Sequence, residues 1–151
     1  MLNEGPKTPK PQEFVQTMAE SDGYELAAAQ TALAQSRQPS VRTFAEHMLA
    51  DHERTAQALR DAAKASGLEP PRPHVGGDQM RFLASLQSLR NKEFDQEYGR
   101  QQVLAHTSAL TMMRSYAEKG SDPNLRRMAA STAPTIESHL QMARQLMKSL
   151  T

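Results

Sequence analysis

Cysteine and tryptophan are both missing from this 151-residue chain. Without cysteine there can be no disulfide, no thiolate-bound metal and no cysteine nucleophile, while a reducing and an oxidising compartment stay equally compatible. β-Branched aliphatics are nearly missing too, with four valines and one isoleucine in the whole chain. Strands drawn from so small a supply would pack poorly. The 21 alanines, 15 leucines and 9 methionines, by contrast, enter helices at little loss. An all-α domain is the expectation, and 16.8 kDa fits a single core. Neither charge sign dominates: 18 Lys and Arg against 17 Asp and Glu leave a formal net charge of +1. No long-range field draws the chain to phosphate polymers, so nucleic acid is not an expected partner. Long apolar runs are absent, which predicts no transmembrane segment, and the first residues, with two Lys and three Pro up to Pro11, do not read as a signal peptide. A Gly-rich phosphate cradle, a nucleophile elbow, a His-Glu-x-x-His pair and a calcium loop are likewise missing.

What the chain does contain is helical periodicity cut by prolines and glycines. Residues 1–10 read as a flexible tail, and residues 11–151 as one helical-bundle domain. A first helix is expected from Pro11 to Ser36, with Phe14, Met18, Glu25, Ala29 and Leu33 facing inward. A second runs from Pro39 to Ser66 along Val41, Ala45, Met48, His52, Ala56, Leu59 and Ala63, with Gly67 ending it. The proline-rich stretch from Leu68 to Gly77 forms a crossover. Asp78 then caps a short helix carrying Phe82, Leu83, Leu86 and Leu89, which breaks at Arg90, Asn91 and Lys92. A third long helix covers Asn91 to Lys119, its stripe being Asp95, Tyr98, Gln102, His106, Leu110, Met113 and Ala117. The last starts on the Asp122–Pro123 cap and continues through Leu125, Met128, Thr132, Thr135, His139, Ala143 and Leu146, with a bend at Pro134. Four helices of about 40 Å each predict a four-helix bundle.

Each inward stripe carries one candidate metal ligand: Glu25, His52, His106 and His139. At a 1.5 Å rise per residue, all four fall about 20–27 Å from their connecting turns, near the middle of the bundle. One carboxylate and three imidazoles suit a single Zn, Fe or Mn ion, with water completing the shell. The same rings can instead satisfy themselves on carbonyls or on Glu25 with no ion at all. Asp22, three residues before Glu25, is expected on the solvated flank, with an acidic pair as the alternative. Asp51 is expected in solvent, with a role behind His52 as the alternative. Asp95 and Tyr98 read as packing or hydrogen-bonding residues near a bundle end. His47, His74 and the pairs Arg126–Arg127 and Arg144–Lys148 read as surface. The methionines read as core filling, and haem or another His- and Met-held cofactor ranks below every other reading.

Three segments carry a family resemblance: FAEHMLADH from Phe44 to His52, FDQEYGRQQVLAH from Phe94 to His106, and DPNLRRMA with Pro134 and HL between Gly120 and Leu140. Together they resemble a bacterial ferritin-like domain family of unknown function, formerly labelled predicted outer-membrane proteins, over about residues 12–148. The resemblance implies a ferritin-like four-helix bundle with a short extra helix in the crossover, and export to the periplasm or attachment to the envelope. Leu49 and Ile136 stand three residues before His52 and His139, where a ferritin-type di-iron site places carboxylates, so no di-iron chemistry is expected. Two functions stay open. One is a non-enzymatic structural or interaction protein of the envelope or of stress tolerance, with self-association or a protein partner unspecified. The alternative is a mononuclear metal-binding protein, or weak metalloenzyme, using Glu25, His52, His106 and His139.

Overall fold

A computed structural model describes residues 8–151; the flexible tail expected over residues 1–10 lies largely outside the described residues. Among the described residues five helices follow in order: α1 (Pro11–Gln35), α2 (Pro39–Ala65), α3 (Gly77–Ser88), α4 (Asn91–Lys119) and α5 (Pro123–Ser149). Proline opens α1, α2 and α5, where its missing N–H would have had no helical partner anyway. Asp122 caps α5 through its side chain, which accepts from the Leu125 N–H at 2.9 Å. α2 stops at Gly67, whose φ of +71° lets Leu68 N–H return to the Ala63 carbonyl at 2.9 Å. The break between α3 and α4 falls on Asn91, a residue type that tolerates its φ of +55°. α5 runs unbroken through Pro134.

Short connections make α1 antiparallel to α2 and α4 antiparallel to α5, and these pairs close a ring through the contacts α2 to α5 and α1 to α4. α3 lies against α1 and α4. Its Leu86 is fully buried in the apolar cluster that also holds Phe44, Phe94 and Tyr98. Gln35 on α1 donates to the Leu86 and Leu89 carbonyls at 3.1 and 2.6 Å, tying down the end of α3. The sequence-based expectation of a ferritin-like four-helix bundle is therefore corrected: α3 is a structural member, and the architecture is a five-helix all-α bundle. The cap expected at Asp78 is corrected as well, because the N-cap of α3 is Gly76, two residues earlier, and the helix begins on Gly77. Phe82, expected on the apolar side of α3, is 44% exposed.

Gly23 explains how the crossover reaches α1. A Cβ there would sit 2.2 Å from the His74 carbonyl carbon, and His74 N–H donates to the Ala19 carbonyl at 3.3 Å. The core divides along the bundle axis. One cluster takes Ala28, Ala29, Phe44, Met48, Tyr98 and Ala143; the other takes Phe14, Met18, Leu59, Met113, Leu125 and Met128. On α2, α4 and α5 the inward histidines fall between these two sets in sequence, so a polar layer separates two apolar ones. Among the described residues, no helix is long and apolar enough to cross a membrane.

Candidate metal centre

His52 on α2, His106 on α4 and His139 on α5 meet in that layer. Their ring centroids are 5.2–5.6 Å apart, and their exposures are 2%, 1% and 1%. One ring nitrogen from each lies within 4.8 Å of those of the other two. The fourth expected residue, Glu25, is also buried but stands to one side, with Oε1 3.8 Å from Nδ1 of His106. Three imidazoles therefore converge, and the carboxylate flanks them.

Each ring is anchored from behind. His52 Nδ1 donates to Asp22 Oδ1 at 2.8 Å, His106 Nδ1 to the Gln102 carbonyl at 2.8 Å, and His139 Nε2 to Asp51 Oδ2 at 2.8 Å. Carbonyls and carboxylates only accept, so these nitrogens carry the protons. The lone pairs of the neutral rings consequently sit on His52 Nε2, His106 Nε2 and His139 Nδ1. Among the described residues those three atoms are buried without a hydrogen-bond partner, as is Glu25 Oε2.

Two expectations about the carboxylates are corrected here. Asp22 is buried, and besides His52 it accepts from the Thr55 hydroxyl at 2.8 Å. Asp51 is half-buried: Oδ2 holds His139, while Oδ1 accepts from Arg54 Nη2 at 2.5 Å. The helical stripes alone could not reveal either, since both residues sit at the edge of the inward face, where a few degrees of rotation decide between solvent and core. The backbone anchor at Gln102 leaves no side-chain signature to read. Other expectations place correctly: Asp95 accepts from the Ser36 hydroxyl at 2.5 Å near a bundle end, and His47 and His74 are exposed.

Burial sets the charge of the cluster. It drives His106 down to about 3, helped by the charge of His52 and opposed by the Gln102 carbonyl. His139 falls to about 4 by burial, against the pull of Asp51. Burial also pulls on His52, but its hydrogen bond to Asp22 and the charge of Glu25 outweigh it and leave His52 above its ordinary value. Glu25 is raised by burial, with His52 opposing. Near neutral pH two rings are thus neutral, and the labile proton belongs to the His52 side of the cluster. Neutral imidazoles fixed from behind, each with a free lone pair, are the donor chemistry of a transition-metal site. The His-based set is capable of holding a metal ion.

The profile of the domain of unknown function DUF4142 matches residues 2–146. The chain belongs to this family. No curated protein matches it significantly. Among solved structures, a DUF305 fragment from Deinococcus radiodurans is similar at 19% identity and a TM-score of 0.77, covering 96% of this chain and 99% of that one. CopM in its Cu(II)-bound form is similar at 19% identity and a TM-score of 0.77, over 96% and 100% of the two chains. The Cu(I)-bound form of CopM gives 18%, 0.74, 93% and 97% for the same four quantities. At these identities the likeness is one of fold. It corrects the resemblance drawn from sequence: the chain is a DUF4142 member with the fold of CopM and DUF305, not a member of a ferritin-like outer-membrane family. The ferritin-like structural or interaction reading falls with that label, and the converging imidazoles favour the metal-binding alternative.

Proposed function

We propose that this protein binds one transition-metal ion through His52 Nε2, His106 Nε2 and His139 Nδ1, and that it holds the ion without catalysing a reaction on it. The observation that carries this reading is the coincidence of three buried lone-pair nitrogens, each ring locked by a separate acceptor. A shared ion supplies the missing partner of all three at once. Metal–nitrogen distances of about 2.0–2.1 Å in a tetrahedral shell put the nitrogens about 3.4 Å apart, inside the 4.8 Å within which one nitrogen of each ring lies, so small ring movements suffice for loading. Glu25, its carboxyl raised by burial, stands beside His106 with Oε1 3.8 Å from Nδ1.

The donor set narrows the occupant. Imidazoles suit Cu, Zn and Fe, whereas Mn prefers oxygen ligands, and the order of divalent affinities puts Cu(II) at the top. CopM, solved with copper bound, shares the fold, which is consistent with Cu(II) or Zn(II) as the ion. A non-catalytic role is supported by the closure of the site. The rings are 1–2% exposed, and the cavity of about 360 Å³ between α1, α3 and α4 is lined by Tyr24, Phe82, Gln101 and Leu104 rather than by the histidines. Periplasmic or envelope placement is part of the proposal, and a chain without cysteine loses nothing in an oxidising compartment. Equilibrium dialysis against Cu(II) and Zn(II), with metal counted by mass spectrometry, tests the binding. One ion per chain is expected for the wild type, and at least a hundredfold weaker binding for His106→Ala and His139→Gln; metal-free wild-type protein refutes the proposal.

A further inference from the structure

The proposed site is sealed, so an ion needs a way in, and the anchors of the three rings differ in their access to water. Asp22 has a side-chain exposure of 9%, and Gln102, which anchors through its carbonyl, is 0% exposed. Asp51 has a side-chain exposure of 26%, and its two oxygens face opposite ways: Oδ2 touches Nε2 of buried His139 at 2.8 Å, Oδ1 touches Arg54 at 2.5 Å. Arg54 is 75% exposed and, besides this pair, points into solvent. Of the three anchors, Asp51 is the one that joins the histidine cluster to water.

We infer that Asp51 is the loading point of the metal site and that Arg54 is its latch. This rests on the metal-binding reading above. A hydrated cation approaching the α2–α5 surface meets a carboxylate already occupied by a guanidinium. It displaces Arg54 from Oδ1, shares Asp51 for a moment, and passes to His139 as that side chain swings from its anchor toward the two remaining rings. The displacement is cheap, because an exposed pair of this kind gains little in water and is screened by salt. The two surface residues therefore act in opposite senses: the carboxylate attracts and hands over the ion, while the guanidinium repels it and competes for the same oxygen. A residue that only oriented His139 would change how long the ion stays, not how fast it arrives.

Stopped-flow mixing of the full chain with Cu(II), followed by its absorption on binding nitrogen ligands, tests the route, with dialysis giving the equilibrium constants. Asp51→Asn keeps a hydrogen-bond acceptor for His139 and removes the charge; its association rate constant should fall on the order of tenfold, within the range of single-site electrostatic steering. Arg54→Gln should raise that rate about threefold. Glu53→Gln, an exposed position on the same turn, matches the charge change of Asp51→Asn and should leave the rate within about twofold. An unchanged association rate in Asp51→Asn with only faster release, or Arg54→Gln and Asp51→Asn moving it in the same direction, overturns the route while the metal site stands. Wild-type protein that takes up no Cu(II) at equilibrium overturns both.

Discussion

Protonation of the cluster makes a sharp prediction about metal affinity and pH. Three ordinary imidazoles titrate near 6.5, so each must lose a proton before it binds metal below that pH. For such rings, lowering the pH from 7 to 5 weakens binding by about 25-fold per ring, or on the order of 10⁴-fold for three. The buried trio behaves otherwise. His106 at about 3 and His139 at about 4 are already neutral over this whole interval, so acid has nothing to take from them. His52, held above its ordinary value, is the ring that must release a proton. Protons therefore compete at one ring. Between pH 7 and pH 5 affinity for Cu(II) should fall by between about 25-fold, the loss for one ordinary ring, and about 100-fold, the limit for one fully protonated ring, with no more than about one proton released per ion. Chelator competition at several pH values gives the slope, and calorimetry in buffers of different ionisation enthalpy gives the proton count. A slope approaching three, or a 10⁴-fold loss by pH 5, would mean that the rings titrate like solvated imidazoles and would refute the buried geometry.

The metal-free protein should be acid-sensitive for the same reason. His106 and His139 have folded values below the unfolded value of about 6.5, so the unfolded chain binds more protons, and stability is present above that pH and lost as the pH falls toward 4. Each ring contributes about 1.4 kcal/mol per pH unit over that window, and denaturant midpoints that stay flat from pH 6.5 to 4.5 would contradict it. Gly23→Ala, which drives a Cβ into the His74 backbone, should destabilise by about 1–3 kcal/mol and lower Tm by several degrees, with an unchanged melting curve as the contrary result.

Much of the fold was legible because its punctuation is local. Pro11, Pro39 and Pro123 open helices, Gly67, Asn91 and Gly120 sit at their breaks, and the inward stripe of α2 is buried at every expected position from Val41 to Ala63. On α5 the stripe drifts after Pro134: Thr135 is half-buried and Ile136 takes the core position. Assigning α3 to the bundle needed tertiary information, since Leu86 is its one fully buried side chain and twelve residues give little periodicity. The three histidines were legible from register alone, because each occupies the centre of an apolar stripe. Their anchors were not, since Asp22 and Asp51 sit at stripe edges and Gln102 acts through its backbone. The 3.6-residue period says which face a residue occupies, not which neighbour on another helix it meets.

A crystal soaked with Cu(II) or Zn(II) and measured across that metal's absorption edge puts the central claim to its most direct test. The account predicts one anomalous peak inside the bundle, about 2.0–2.1 Å from His52 Nε2, His106 Nε2 and His139 Nδ1. No peak among the three rings, with metal found only on surface residues, would contradict it.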